Sequence, residues 1–338
     1  MHARHLGSAK RLSVVAPCFN EQDGIDEFYR RVSAVCAASV GDSYEIVLVN
    51  DGSTDSTLSA LRTLSERDSH VVVVDLARNY GHQIALTAGL EFAGGERILI
   101  LDADLQDPPE LLSQMMALMD EGNDVVYGQR RRRTGESWFK LATAKLFYRL
   151  LQRLVDVAIP MDTGDFRLMS RPALNHLNSM PEHFRFVRGM VSWIGLRQAP
   201  LPYDRDARFA GATHYPLRRM IRLALDAVTS FSTVPLRFAS HLGFLMGGMG
   251  VLALGYTLWS WASGNAVPGW TSLAVLILII GSGQFMVLGI FGEYLGRMYM
   301  EAKRRPLYIV NEIHASPATA ELDDARALQE NLRKALRA

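Results

Sequence analysis

Two carboxylates one residue apart, in Asp102-Ala103-Asp104, directly follow the apolar run Ile98–Leu101. A short apolar run bounded in this way reads as a buried strand, so both carboxylates should project at a strand end. Two hard oxygen ligands there suit Mg²⁺ or Mn²⁺, ions that take few protein carboxylates and keep positions for substrate phosphates. A metal held there would offset charge developing on a departing nucleotide diphosphate. Taken alone, such a tripeptide serves a turn or a helix cap as readily, and its meaning rests on the elements around it.

Those elements alternate. Leu12–Ala16, Glu45–Val49, Val71–Leu76, Arg97–Leu101 and Asp124–Tyr127 are candidate strands, and helical patterns near Gln22–Ala38, Ser56–Arg67, Gln83–Ala93 and Pro109–Glu121 lie between them. This predicts an α/β fold with a mostly parallel sheet covered by helices on both faces. Ligands of such sheets bind beyond the carboxyl ends of the strands. Polar signatures sit at those ends: Pro17-Cys18-Phe19-Asn20-Glu21, Asn50-Asp51-Gly52-Ser53 and Asp102-Ala103-Asp104. Ser and Asp ahead of a helix, as in Asp51-Gly52-Ser53-Thr54-Asp55, also suit capping. No G-x-G-x-x-G follows the first strand, which argues against a dinucleotide site. After Arg130 the pattern is less regular.

The chain has 338 residues and a formal net charge of +1, which gives no support for nucleic-acid binding. Its two cysteines, Cys18 and Cys36, make no disulfide framework and read as small buried hydrophobes in a reducing compartment. Met1–Arg11 is basic, but the apolar run after it is too short for a signal peptide, so this part is expected to stay where it is made. Between Arg237 and Glu293 there is no Asp, Glu, Lys or Arg. Residues 239–262 and 270–291 are the expected transmembrane helices, with Ser263–Gly269 as the turn. Gly243, Gly247, Gly248, Gly250, Gly281, Gly283 and Gly289 would allow close helix contacts, within the hairpin or between subunits of a homo-oligomer. Basic residues flank the pair (Arg218, Arg219, Arg222 and Arg237; Lys303, Arg304 and Arg305), so both termini are expected in the cytoplasm and the protein in the cell (inner) membrane. Leu217, Ile221, Leu225, Val228 and Phe231 recur at helical spacing and predict a basic amphipathic helix over 216–237, interfacial or simply on the domain surface. The expected organisation is a cytoplasmic catalytic domain over 1–215, this helix, the hairpin over 238–292, and a cytoplasmic tail over 293–338 that is helical or frayed after Val310.

Ala16-Pro17-Cys18-Phe19-Asn20-Glu21, Val49-Asn50-Asp51-Gly52-Ser53-Thr54-Asp55, Arg78-Asn79-Tyr80-Gly81, Leu101-Asp102-Ala103-Asp104-Leu105-Gln106-Asp107-Pro108-Pro109 and Asp162-Thr163-Gly164-Asp165-Phe166-Arg167-Leu168-Met169 occur in this order. The series resembles the family 2 inverting glycosyltransferases of GT-A fold, in particular their polyprenyl-phosphate branch of bactoprenol glucosyltransferases and dolichyl-phosphate mannose synthases. The likeness covers nearly the whole chain.

The resemblance implies sugar transfer from a nucleotide diphosphate, UDP-glucose first and GDP-mannose or another UDP-sugar as alternatives, onto polyisoprenyl (undecaprenyl or dolichyl) phosphate. It implies that Pro17, Asn20 and Glu21 line the nucleotide pocket and that Asp51 holds base or ribose. Asp102 and Asp104 would bind metal and diphosphate, with Gln106 as a further oxygen ligand. Phe19 departs from the tyrosine often found there: a hydroxyl is lost and the stacking surface kept. Arg208 matches a phosphate-binding loop residue, and Asp165 falls beside the sugar. A phosphate monoester already carries about −1.5 to −2 charge near neutral pH, so Asp165 is expected to position sugar or acceptor, with a base role open. Arg130-Arg131-Arg132-Arg133 follows the fifth strand. Guanidinium groups chelate phosphate, while a basic run also attracts anionic headgroups. Arg130, Arg131 and Lys140 are the candidates for the acceptor phosphate, with Arg130 nearest the strand and the other arginines of the run toward the membrane. Lys140, Lys145 and Arg149 extend the basic character along an expected helix. A flippase would act on the product. Two rival readings are a processive polysaccharide synthase, whose Q-x-x-R-W signature Arg188-Gly189-Met190-Val191-Ser192-Trp193 does not supply, and a non-catalytic membrane scaffold.

Overall fold

The computed structural model describes residues 10–131, 160, 163–205, 232, 234–263 and 269–315. These fall into two compact units, one of residues 10–205 with 306–315 and one of residues 232–305.

The first unit is built on a mixed sheet of β1 (Leu12–Cys18), β2 (Tyr44–Asn50), β3 (Val71–Leu76), β4 (Arg97–Ile100), β5 (Val125–Arg130), β6 (Thr163–Ser170), β7 (Gln198–Tyr203) and β8 (Val310–His314). Their spatial order is β7-β5-β6-β4-β1-β2-β3-β8. The β4-β1-β2-β3 half is parallel. The middle strand β6 runs antiparallel to both β4 and β5, and β8 closes the far edge antiparallel to β3. Every residue of β1, β2 and β3 is buried, which continuous Val/Ile/Leu runs achieve only when both faces are covered. One cover is α1 (Ile25–Val40), α2 (Thr57–Arg67) and α4 (Leu112–Asp120), which touch one another through α1. The other is α3 (His82–Phe92), packed on α5 (Arg171–Ser179), which in turn packs on α6 (Val187–Ile194). The fold is GT-A-like, as expected. Cys18 and Cys36 are free and buried, and burial pushes the Cys36 thiol up to about 12.

The expected strands and helices are present with small shifts of their ends. Pro109–Leu111 forms a 3₁₀ turn before α4, with proline at its start, where a missing amide costs no hydrogen bond. The tail differs from expectation. Val310–His314 is neither helical nor frayed but is the strand β8, tied by Arg62 to Glu312 (2.7 Å) and to His314 Nε2 (2.9 Å) and by Tyr308 to Glu91 (2.9 Å).

The second unit contains α7 (Val234–Ala262) and α8 (Trp270–Ala302), longer than the expected 239–262 and 270–291. Both are long and apolar enough to cross a membrane, with mean hydropathy of 1.5 and 2.2 over their spans. They pack on each other, and a side chain at Gly283 would collide with Met246. Phe244, Leu252, Phe285 and Leu288 are exposed on their outer surfaces. The helix expected over 216–237 lies outside the described residues up to 231.

Candidate active site

The loops after β1, β2 and β3 are fastened to one another by polar side chains. Asn20 adopts a left-handed conformation (φ 56°), its Oδ1 accepts from the Thr54 amide at 2.9 Å, and its own amide donates to Ser53 Oγ at 3.1 Å. The Glu21 amide donates to Thr57 Oγ1 at 2.9 Å. Asp55 Oδ1 accepts from the Thr57 amide at 3.0 Å, one residue ahead of the Ser56 N-cap of α2. Asp51, only 2% exposed, accepts from the Tyr80 amide on Oδ1 (2.7 Å) and from the Gly81 amide on Oδ2 (2.9 Å). Burial raises its pKa, and these two amides oppose the rise. Each oxygen keeps a second lone pair that can accept from a ribose or base. Gly52 (φ +63°) lets the β2 loop pass the β3 loop, since a Cβ there would sit 2.5 Å from the Arg78 carbonyl carbon and the Asn79 nitrogen. Pro17 is buried within β1, and Phe19 leaves an exposed ring just beyond it.

A second group of side chains lies beyond β4 and β6. Leu105, in the Asp102–Asp107 loop, is held at φ 57°, a strained conformation for a branched residue. Asp104 Oδ1 accepts from the Gln106 amide at 3.1 Å. Asp102 Oδ1 is buried without a hydrogen-bond partner, and His82 Nε2 is 3.5 Å away. Burial pushes the Asp102 carboxyl up to about 6; His82 opposes this, while Asp165, Asp107 and Asp104 add to it. Asp165 Oδ2 contacts His82 Nε2 at 3.1 Å and accepts from Gln83 Nε2 at 2.7 Å, and Arg188 Nε lies 3.1 Å from Oδ1. Burial alone would raise Asp165, but Arg188, His82 and the buried Arg167 hold it well below the usual carboxylate range. Burial lowers His82, yet its bond to Asp165 and the charge of Asp102 raise it to about 9. The His82 side chain is 44% exposed, so solvent screens part of that effect.

On the other flank, Tyr203 donates a short hydrogen bond to Asp107 Oδ1 and Arg130 Nε donates to the Tyr203 oxygen at 3.4 Å. Arg205 reaches both Asp107 Oδ1 (3.5 Å) and Asp104 Oδ2 (3.9 Å). Asp107 is fully buried, and its Oδ2 has no hydrogen-bond partner. Gly164 admits the Arg130 guanidinium, which would lie 2.8 Å from a Cβ at that position.

Of the residues named from sequence, Asn20, Glu21 and Asp51 share one loop cluster, and Asp102, Asp104, Gln106, Asp165 and Arg130 belong to the other two groups. Arg131 is largely exposed, 4.0 Å from Asp204. Lys140 and Arg208 lie outside the described residues, as do Arg132, Arg133, Lys145 and Arg149. From sequence, His82 at a helix start suits a contact to donor or metal as well as a cap and stands outside the expected site, while Gln83, Asp107, Arg188, Tyr203 and Arg205 are not singled out. Asp107 lies within a quoted motif and His82 directly after one; Arg188 carried no local signal, because its partner is Asp165 on another element.

Among the described residues no three His, Cys, Asp or Glu side chains form a ready-made metal cage. The residues fit a divalent cation of the open kind. Asp102 Oδ1 accepts no hydrogen bond among the described residues, has the His82 ring at 3.5 Å and is crowded by three other carboxylates, and two carboxylates leave room for phosphate and water.

The sequence pattern of Glycosyl transferase family 2 matches residues 13–177. "Uncharacterized glycosyltransferase YkcC" of Bacillus subtilis (strain 168) is 45% identical over 92% of this chain and 95% of its own length. The "Prophage bactoprenol glucosyl transferase homolog" of Escherichia coli (strain K12) is 38% identical over 90% of this chain and 99% of its own, and the "Bactoprenol glucosyl transferase" of Shigella phage SfII is 37% identical over 90% and 98%. The chain therefore belongs to glycosyl transferase family 2. It is a glycosyltransferase.

Proposed function

We propose that this chain transfers glucose from UDP-glucose to a polyprenyl phosphate at a membrane face, inverting the anomeric configuration. The observation that carries this reading is Asp102 Oδ1, just beyond β4, which accepts no hydrogen bond among the described residues and stands among three other carboxylates, where a cation and a diphosphate would fit. The acceptor and sugar are argued from the relatives named bactoprenol glucosyl transferase, which match over nearly their whole length.

In this reading Pro17, Asn20, Glu21 and Asp51 hold the nucleoside, and Asp102, Asp104 and Gln106 hold Mg²⁺ or Mn²⁺. A divalent ion bound there neutralises charge on the leaving diphosphate. Asp165, ionised and clamped by Arg188, His82 and Gln83, positions sugar or acceptor. Its depressed pKa makes it a poor proton acceptor, and a phosphate nucleophile needs none. Arg130 and Arg131 meet the acceptor phosphate; Lys140 is assigned to the same phosphate and Arg208 to the donor on the sequence alone. The acceptor's anionic head rises from the bilayer while its chain stays in lipid. The helices α7 and α8 cross the membrane as a hairpin. Support comes from β8: it pairs with β3, so the segments before α7 and after α8 lie on one side, which requires an even number of crossings. By the flanking basic residues that side is the cytoplasm, and a flippase would be needed to carry the product across.

The test is a donor screen with purified full-length protein, undecaprenyl phosphate and Mn²⁺ or Mg²⁺, detecting lipid-linked sugar by mass. The expected result is an EDTA-sensitive hexosyl lipid from UDP-glucose that is absent in Asp104→Ala. Product from GDP-mannose alone would replace the sugar, and no product from any nucleotide sugar would reject the reading.

A further inference from the structure

One buried carboxylate lies away from the reacting centre and is not used by the reaction. Asp75 on β3 is 4% exposed and has no cation among its hydrogen-bond partners. Two carboxamides satisfy it instead. Asn311 Nδ2, from β8, donates to Oδ2 at 2.9 Å, and Asn50 Nδ2, at the end of β2, donates to Oδ1 at 2.7 Å. Asn50 then turns its Oδ1 to the Ser53 amide at 3.3 Å, and Ser53 Oγ accepts from the Asn20 amide at 3.1 Å. A continuous hydrogen-bonded line thus runs from the strand that follows α8, across the sheet edge, into the two loops that carry Asn20 and Asp51.

We infer that Asn311, acting through Asp75 and Asn50, is a positioning residue for the nucleotide-binding loops, so that the segment returning from α8 completes the donor site. This rests on the donor-site reading above. The orientation of each amide is determined rather than arbitrary. Asn50 must present nitrogen to Asp75 and oxygen to Ser53, and a carboxylate can only accept, so Asn311 must donate. Removing the last donor leaves a buried carboxylate oxygen unsatisfied, and the cheapest relief is for Asn50 to turn, which abandons the Ser53 amide. The effect therefore appears at the β2 loop and not only at the edge strand. The exposed Arg62–Glu312 pair also fastens β8 but lies outside this line, which provides a control.

The experiment measures UDP affinity by calorimetry, with Mn²⁺ present, on full-length protein in detergent. Asn311→Asp sets two carboxylates face to face and should weaken UDP binding about tenfold. Asp75→Asn combined with Asn311→Asp restores both hydrogen bonds, with the polarity reversed at β8, and should return affinity to within about twofold. In turnover, Asn311→Asp should raise the donor KM with kcat changed much less, a split that general loosening of the fold would not give. Arg62→Ala should bind UDP as the wild type does. If Asn311→Asp does not fold, Asn311→Ser, too short to reach Asp75, decides the question by the same loss. Wild-type affinity in the folded Asn311 variant, or no recovery in the double variant, overturns the inference. Failure of the wild type to bind any nucleotide overturns the donor-site reading instead.

Discussion

Asp51 and Asp102 both follow strands of the same sheet and both turn carboxylate oxygen inward, yet they are treated in opposite ways. Each Asp51 oxygen receives a backbone amide, so its charge is spent on joining the β2 and β3 loops. Asp102 Oδ1 receives none and stands among Asp104, Asp107 and Asp165 with a raised pKa. One half of the site is satisfied by the chain's own amides, and the other half keeps a carboxylate oxygen that accepts no hydrogen bond among the described residues. A transferase of nucleotide sugars needs both: a preformed nucleoside pocket, and a cation-dependent place where the diphosphate leaves.

The contrast can be broken from either side. Asp102→Asn should reduce transfer by about 10³-fold or more, because charge stabilisation at the leaving group is lost. Its melting temperature in EDTA should nevertheless stay level or rise, since a crowded buried carboxylate has been removed. Asp51→Ala should behave in reverse, leaving two buried amides unpaired at about 1–3 kcal/mol each, read as a loss of unfolding free energy in denaturant titration. Gly52→Ala should cost about 2–4 kcal/mol by the same measurement, because the intruding Cβ meets the Arg78–Asn79 backbone, which cannot turn aside.

The smallest effect is a pH dependence. His82 is raised in the folded protein to about 9 from 6.5, so its contribution to stability is full below about pH 6.5 and is lost as pH rises through 9. With the ring 44% exposed, the difference is expected to stay under about 1 kcal/mol. Melting curves of wild type and His82→Gln in EDTA should differ most near pH 6 and converge above pH 9. A constant gap across that range would remove the His82–Asp165 pair from the account.

The alternating half of the fold was legible because β1, β2 and β3 are continuous apolar runs that only a doubly covered sheet can bury. The strands β6, β7 and β8 hid for separate physical reasons. β6, TGDFRLMS, buries an aspartate and an arginine that partner within the fold and therefore look polar in sequence. β7, QAPLPY, carries two prolines, tolerable in a strand that has a neighbour on one side only. β8, VNEIH, is short and polar in the manner of a protected edge. In the site, Asp102 and Asp104 declared themselves by following a strand. Arg188 and Gln83 could not, since each matters only through Asp165, from which Gln83 is 82 residues distant in sequence.

The most direct test of the account is UDP binding to full-length protein, first stripped with EDTA and then resupplied with Mn²⁺, for wild type and Asp102→Asn side by side. The account predicts weak binding to the stripped wild type, tight binding once Mn²⁺ is restored, and an Asp102→Asn protein that binds weakly in both conditions. Equal affinity of the wild type with and without the metal would contradict it.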